Sequence, residues 1–135
     1  MPLTIGTVKK IGVVAAIVVA FRKLREEKRR LNKMLASAKI ACSNFPRQER
    51  TACLRKNLKQ YYSNLAKSEL NAARQIQRKL NELDPIRKKF YSAKLKNLLD
   101  KAKLHQKAAA LAMNPNVKLH KIISIAKKQV NIDSV

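Results

Sequence analysis

The chain has 135 residues, enough for one domain and short for two, and its 31 Lys and Arg against 8 Asp and Glu give a formal charge of +23. Glycine occurs only at Gly6 and Gly12 and Trp is absent, which excludes a hairpin-rich β architecture because tight turns need glycine. Internal pairing cannot neutralise such a surplus, so a compact body of this charge repels itself and calls for a phosphate-bearing partner, either lipid headgroups or nucleic acid.

The first element begins with an apolar run. Residues 11–21 lack any polar side chain, with Ile11, Val13, Val14, Ile17, Val18, Val19 and Phe21 as its bulk. A full membrane span needs about 20 such residues. Extension back to Leu3 reaches that length only by enclosing Lys9 and Lys10, which would have to snorkel to an interface. A secretory signal is disfavoured, since Phe21, Arg22 and Lys23 offer no small-residue cleavage site. Two readings remain. Residues 1–21 form a hydrophobic anchor in or on a membrane, or they form a helix buried in the protein core. The anchor leads. Arg22, Lys23, Arg25, Lys28, Arg29, Arg30 and Lys33 follow it directly and suit anionic headgroups, at about 1 kcal/mol each near the surface. The excess of basic residues after the run over Lys9 and Lys10 before it places the body on the cytoplasmic or equivalent interior side.

Residues 22–135 read as a basic helical body. Pro46, Pro85 and Pro115 divide it into helices over about 22–42, 47–83, 85–113 and 116–131. The first of these continues the anchor as a single rod from about residue 5. Asp84 before Pro85 and Asn114 before Pro115 both resemble helix starts, a capping residue followed by a proline suited to the first turn. In the second helix Leu54, Leu58, Tyr61, Leu65, Ala72, Ile76, Leu80 and Leu83 recur at helical spacing. In the third, Ile86, Phe90, Ala93, Leu98, Ala102, Ala109 and Met113 do so, with Leu95, Leu99 and Leu104 widening the stripe. Short links between them favour antiparallel neighbours. The expected fold is all-α: a long membrane-anchored N-terminal helix, then amphipathic helices in a helical hairpin or loose bundle. The last helix sets Ile122, Ile125, Ala126 and Val130 against Lys118, Lys121 and Lys128, a pattern that suits either docking on the bundle or lying on a membrane.

Side chains that could carry chemistry are few. Cys42 and Cys53 flank the break at Pro46, and a disulfide between them would close a small loop and contribute about 2–3 kcal/mol. Such a bridge sits awkwardly with a reducing cytoplasm. His105 and His120 have no acidic or cysteine cluster beside them, so no metal is expected. No Gly-rich loop, Cys-x-x-Cys motif or acid–base pair is present, and no cofactor or catalysis is expected. Aromatic platforms for bases are scarce and Lys replaces Arg after Arg87, which argues against sequence-specific readout and leaves contact with a nucleic-acid backbone open.

These features point to a non-enzymatic structural membrane protein of a large assembly, such as a virion with an internal membrane or an organellar membrane complex. Its basic body would contact anionic lipid headgroups or genome and link the membrane to neighbouring structural proteins. The competing reading is a nucleic-acid-binding structural protein, ribosomal or genome-condensing in type, with residues 11–21 as a buried helix. A cationic membrane-disrupting factor is a weaker third.

Overall fold

The computed structural model describes residues 5–127, with side chains described from residue 12 onward. All regular structure in that range is helical. Helix α1 (Ile5–Ser43) is one uninterrupted rod of 39 residues, about 58 Å long at 1.5 Å per residue. No helix among the described residues is long and apolar enough to cross a membrane, which corrects the expectation of a spanning segment. Ile11 and the expected last turn after residue 127, with Lys128 and Val130, lie outside the residues whose side chains are described.

Helix α1 ends where Ser43, Asn44 and Phe45 meet Pro46, whose ring cannot continue the hydrogen-bond ladder. Pro46 is also the N-cap of α2 (Arg47–Leu80), with no side-chain cap. The turn is closed instead by the Arg50 Nε donating to the Phe45 carbonyl at 2.9 Å and by a Cys42–Cys53 disulfide, with Cα atoms 5.6 Å apart. Helix α3 (Pro85–Ala112) starts as the sequence suggests: Asp84 accepts from the Arg87 amide and Pro85 occupies the first turn.

The fourth start differs. The Asn114 side chain accepts from the Asn116 amide at 3.0 Å in a local turn, and helix α4 begins only at Leu119, running Leu119–Lys127. A side chain that satisfies its own neighbouring backbone competes with helix initiation. Arg55 on α2 strengthens the turn by donating to the carbonyls of Ala112 (3.0 Å), Asn114 (2.9 Å) and Val117.

Helix α2 is the central element. It packs against α1 on one side and α3 on the other, while α1 and α3 approach each other little. The links Cys42–Cys53, Tyr61–Asn32 and Lys28–Glu69 make α1 and α2 antiparallel. His105 against Glu69, and Arg55 against the end of α3, make α2 and α3 antiparallel too. Helices α1 and α3 therefore run parallel, flanking α2.

Two core clusters result. One joins Val13, Ile17, Ala20 and Leu24 of α1 to Ala73, Ile76 and Leu80 of α2 and Leu95 and Leu98 of α3. The other gathers Leu58 and Tyr62 of α2, Ala108 and Ala112 of α3, and Ile122 of α4. Alanine on both facing surfaces lets α2 and α3 approach closely. Helix α4 docks on its own bundle through Ile122, leaving Lys118, Lys121 and Lys127 exposed.

The buried face of α3 follows the expected stripe at Leu95, Leu98, Ala102 and Ala109 and departs from it at both ends. Leu95, Asn97, Leu98, Ala102, Ala108, Ala109 and Ala112 are buried. Ile86 (82% exposed), Phe90 (54%) and Met113 point outward. Tyr62 takes the fully buried position on α2 that the spacing assigned to Tyr61, which is half-buried.

Candidate functional site

The apolar run divides between two environments. Ile17 is wholly buried and Val13 and Ala20 nearly so, all inside the cluster formed with α2 and α3. Phe21 and Val14 are half-buried. Val18 and Val19, at 38% and 42% exposure, face outward together with Gly12, Ala15 and Ala16. A helix with one stripe facing the core and the opposite face apolar and uncovered is unusual, because the solvent side of a globular helix is ordinarily polar.

The polybasic run does not form a single patch, since consecutive residues on a helix fan out by about 100° each. Arg22, Lys23, Arg25, Arg29 and Lys33 are exposed. Arg30 is tied to Glu27 in a two-pronged pair and to the Met34 sulfur at 3.2 Å, and this pairing holds the Glu27 carboxyl below its ordinary range. Lys28 turns inward, its Nζ 3.7 Å from Glu69 Oε2.

Glu69 is the fully buried acid at the junction of the three long helices. One oxygen meets His105 Nδ1 from α3 while the other faces Lys28 from α1. Tyr62 stacks on His105 with centroids 5.9 Å apart and planes at 12°. Burial raises the Tyr61 and Tyr62 hydroxyls above their ordinary range, with Glu69 adding to the effect on Tyr61 and Tyr61 to that on Tyr62.

Because α1 and α3 flank α2 without closing on each other, a cleft of about 440 Å³ opens between them. Val18 and Phe21 of α1 and Tyr91 of α3 line its apolar part. Arg25 and Lys28 of α1, with Lys94 and Lys101 of α3, line its cationic part, and no acid among the described residues joins them. Lys94 Nζ stands 4.8 Å from the Phe90 ring centroid and 5.9 Å from that of Phe21, so it bridges the two helices by cation–π contact. Asn97, 6% exposed, also lines the cleft, and its Oδ1 has no hydrogen-bond partner among the described residues.

The arrangement can bind and orient an anion. Among the described residues no three His, Cys, Asp or Glu side chains converge as metal ligands. Sequence reasoning placed Phe90 in the core and passed over Lys94, Asn97 and Lys101. The signal was present: positions 86, 90, 94, 97 and 101 share one face at spacings of four, four, three and four, and that face changes from apolar to basic along its length. No protein-family model, curated protein or solved structure matches this chain.

Proposed function

We propose that this protein is a non-catalytic structural component that docks on an anionic membrane surface, lying on the bilayer rather than crossing it, and joins it to neighbouring proteins of an assembly. The observation that carries the reading is the end of the bundle where α1 and α3 flank the cleft. There Val18, Val19, Ile86 and Phe90 are exposed, with Arg22, Lys23, Lys88 and Lys89 beside them in sequence and also exposed. Scattered exposed apolar side chains need no explanation. Exposed apolar groups on the two flanking helices, with exposed cations next to them in sequence, match what the headgroup boundary of a membrane receives: hydrocarbon contact plus about 1 kcal/mol per cation near anionic lipid. The orientation argument from flanking charge lapses without a spanning helix, since that bias concerns segments that cross. The disulfide favours a surface facing an oxidising compartment.

A second reading keeps one specific support. Burial of Val13, Ile17 and Ala20 is what a nucleic-acid-binding protein with a buried helix over residues 11–21 requires, and the basic surface suits a phosphate backbone. Flotation separates the two. The full chain is expected to float with empty vesicles containing phosphatidylglycerol and to remain with neutral vesicles in the pellet. Val18→Ser, Ile86→Ser and Phe90→Ser together, all at exposed positions, are expected to make the remaining binding fully removable by salt. Binding to DNA or RNA without flotation on empty anionic vesicles would reject membrane docking in favour of the second reading.

A further inference from the structure

We infer that the cleft between α1 and α3 is a discrete binding site for a single anionic amphiphile, with a phosphate ester held between the four cations and its hydrocarbon directed toward the apolar end of the bundle. The inference deepens the membrane-docking reading and rests on it for the source of the ligand.

Three observations converge on it. The first is polarity along the cleft. On α1 the lining passes from Val18, Phe21 and Leu24 to Arg25 and Lys28; on α3 it passes from Tyr91 to Lys94, whose ammonium lies over the Phe21 and Phe90 rings at the boundary, and then past Leu98 to Lys101. The helices are parallel, so both walls change from apolar to cationic in the same direction. From Phe21 to Lys28 the rise is about 10 Å, the scale of a headgroup joined to the first carbons of a chain. A cleft for a purely polar anion has no use for that gradient, and one for a purely apolar ligand has no use for the cations.

The second is the charge left uncompensated. Lys28 has Glu69 behind it at 3.7 Å, but among the described residues no carboxylate lines the cleft itself. Arg25, Lys94 and Lys101 line this partly enclosed space without such a partner in the lining, and they repel one another more strongly than in bulk water where low-dielectric walls reduce screening. A phosphate between them relieves that repulsion and accepts charge-assisted hydrogen bonds from several of them.

The third is Asn97. An amide more than nine-tenths buried with an unpaired oxygen is costly to keep, and natural structures seldom retain one without a partner. Leucine would fill this position between Leu95 and Leu98 more favourably if packing were its sole role. The side chain lines the cleft between Lys94 and Lys101; its oxygen is sealed from water in this structure, and a turn of the amide would let it accept from a ligand hydroxyl such as that of a glycerol headgroup. A phosphoglycerol group satisfies the lysines and the amide together.

The test uses the full-length protein and water-soluble dihexanoyl-phosphatidylglycerol below its micelle concentration, followed by NMR of the Asn97 side-chain amide and the Tyr91 ring. Saturable one-to-one binding is expected, with both groups shifting together. Inorganic phosphate and dihexanoyl-phosphatidylcholine are expected to bind at least about tenfold more weakly, the first lacking the chain and the second the net charge. Lys94→Gln with Lys101→Gln is expected to weaken phosphatidylglycerol binding at least about tenfold while the melting temperature holds or rises, since two repelling charges are gone. Asn97→Asp, which places a carboxylate in the cleft at almost unchanged volume, should do the same to binding.

Equal affinity for inorganic phosphate and the short-chain lipid would overturn the amphiphile site. So would shifts spread evenly over the basic surface with Asn97 unmoved, whatever the vesicles show. Saturable binding in the cleft by a protein that fails to float would reject the docking surface and leave the cleft standing.

Discussion

A single buried carboxylate ties the three long helices together. Glu69 has no exposure to solvent, and its partners come from opposite neighbours, His105 on α3 and Lys28 on α1. Removing one member of such a set leaves the others without their counter-charge, a loss of about 3–5 kcal/mol for a fully buried pair. Lys28 remains about one-third exposed and can recover water, which places Glu69→Ala near the low end, about 3 kcal/mol, or about 10 °C in melting temperature for a domain of this size. A melt followed by circular dichroism reads it directly, and a drop of less than about 3 °C would show that the contacts contribute little. Both residues were visible in the helical phase. Glu69 lies four residues after Leu65 and three before Ala72, and His105 lies three after Ala102 and four before Ala109. A lone acid on one apolar stripe and a lone histidine on the next indicate a buried pair, a signal lost when only apolar residues are counted.

At the scale of elements, prolines and capping residues revealed more than periodicity did. Pro46 and the pairing of Asp84 with Pro85 mark real helix boundaries. Asn114 beside Pro115 did not start a helix, because a local side-chain turn and the reach of Arg55 from α2 hold that segment in another conformation. That long-range contact leaves no trace in local sequence. The stripe on α3 holds from Leu95 to Ala109 but not before it: Ile86 and Phe90 repeat at helical spacing, yet α1 does not close over them.

The same contacts give two expectations. Arg55→Lys replaces a planar fork serving three carbonyls with one ammonium. Amide exchange in α4 is expected to quicken about tenfold or more, while the Cys42 end of α1 keeps its protection; uniform quickening would instead mean a general loss of stability. Reducing the Cys42–Cys53 bridge frees a closed loop with a separation of 11 residues, which on chain-entropy grounds costs about 3 kcal/mol. Urea unfolding with and without reductant measures that cost, and an unchanged midpoint would show that the turn is held by Pro46 and Arg50 without it.

The whole molecule is dominated by its charge. Composition made the all-helical class legible, and the surplus of cations made a polyanionic partner an early expectation, but neither could say how the apolar run would divide between core and surface. That division depends on α2 crossing behind residues 13, 17 and 20 while residues 18 and 19 stay uncovered. Four of the eight acids pair within the fold, Glu27 with Arg30, Glu69 with His105 and Lys28, Glu82 with Lys79 and Asp84 with Arg87, so the 31 Lys and Arg mostly face one another across water. Repulsion of this kind is spread over the surface and screened within about 10 Å at 0.1 M salt. The melting temperature is therefore expected to rise with sodium chloride from about 10 mM to about 0.5 M, opposite to the trend for a fold held by surface ion pairs. At equal ionic strength phosphate should raise it further than chloride, and the Lys94→Gln, Lys101→Gln variant should lose much of that extra increment if the cleft is where phosphate is held most strongly. A melting temperature that falls with salt would mean that the few surface pairs outweigh the repulsion, and the case for a polyanionic partner drawn from net charge would fail with it.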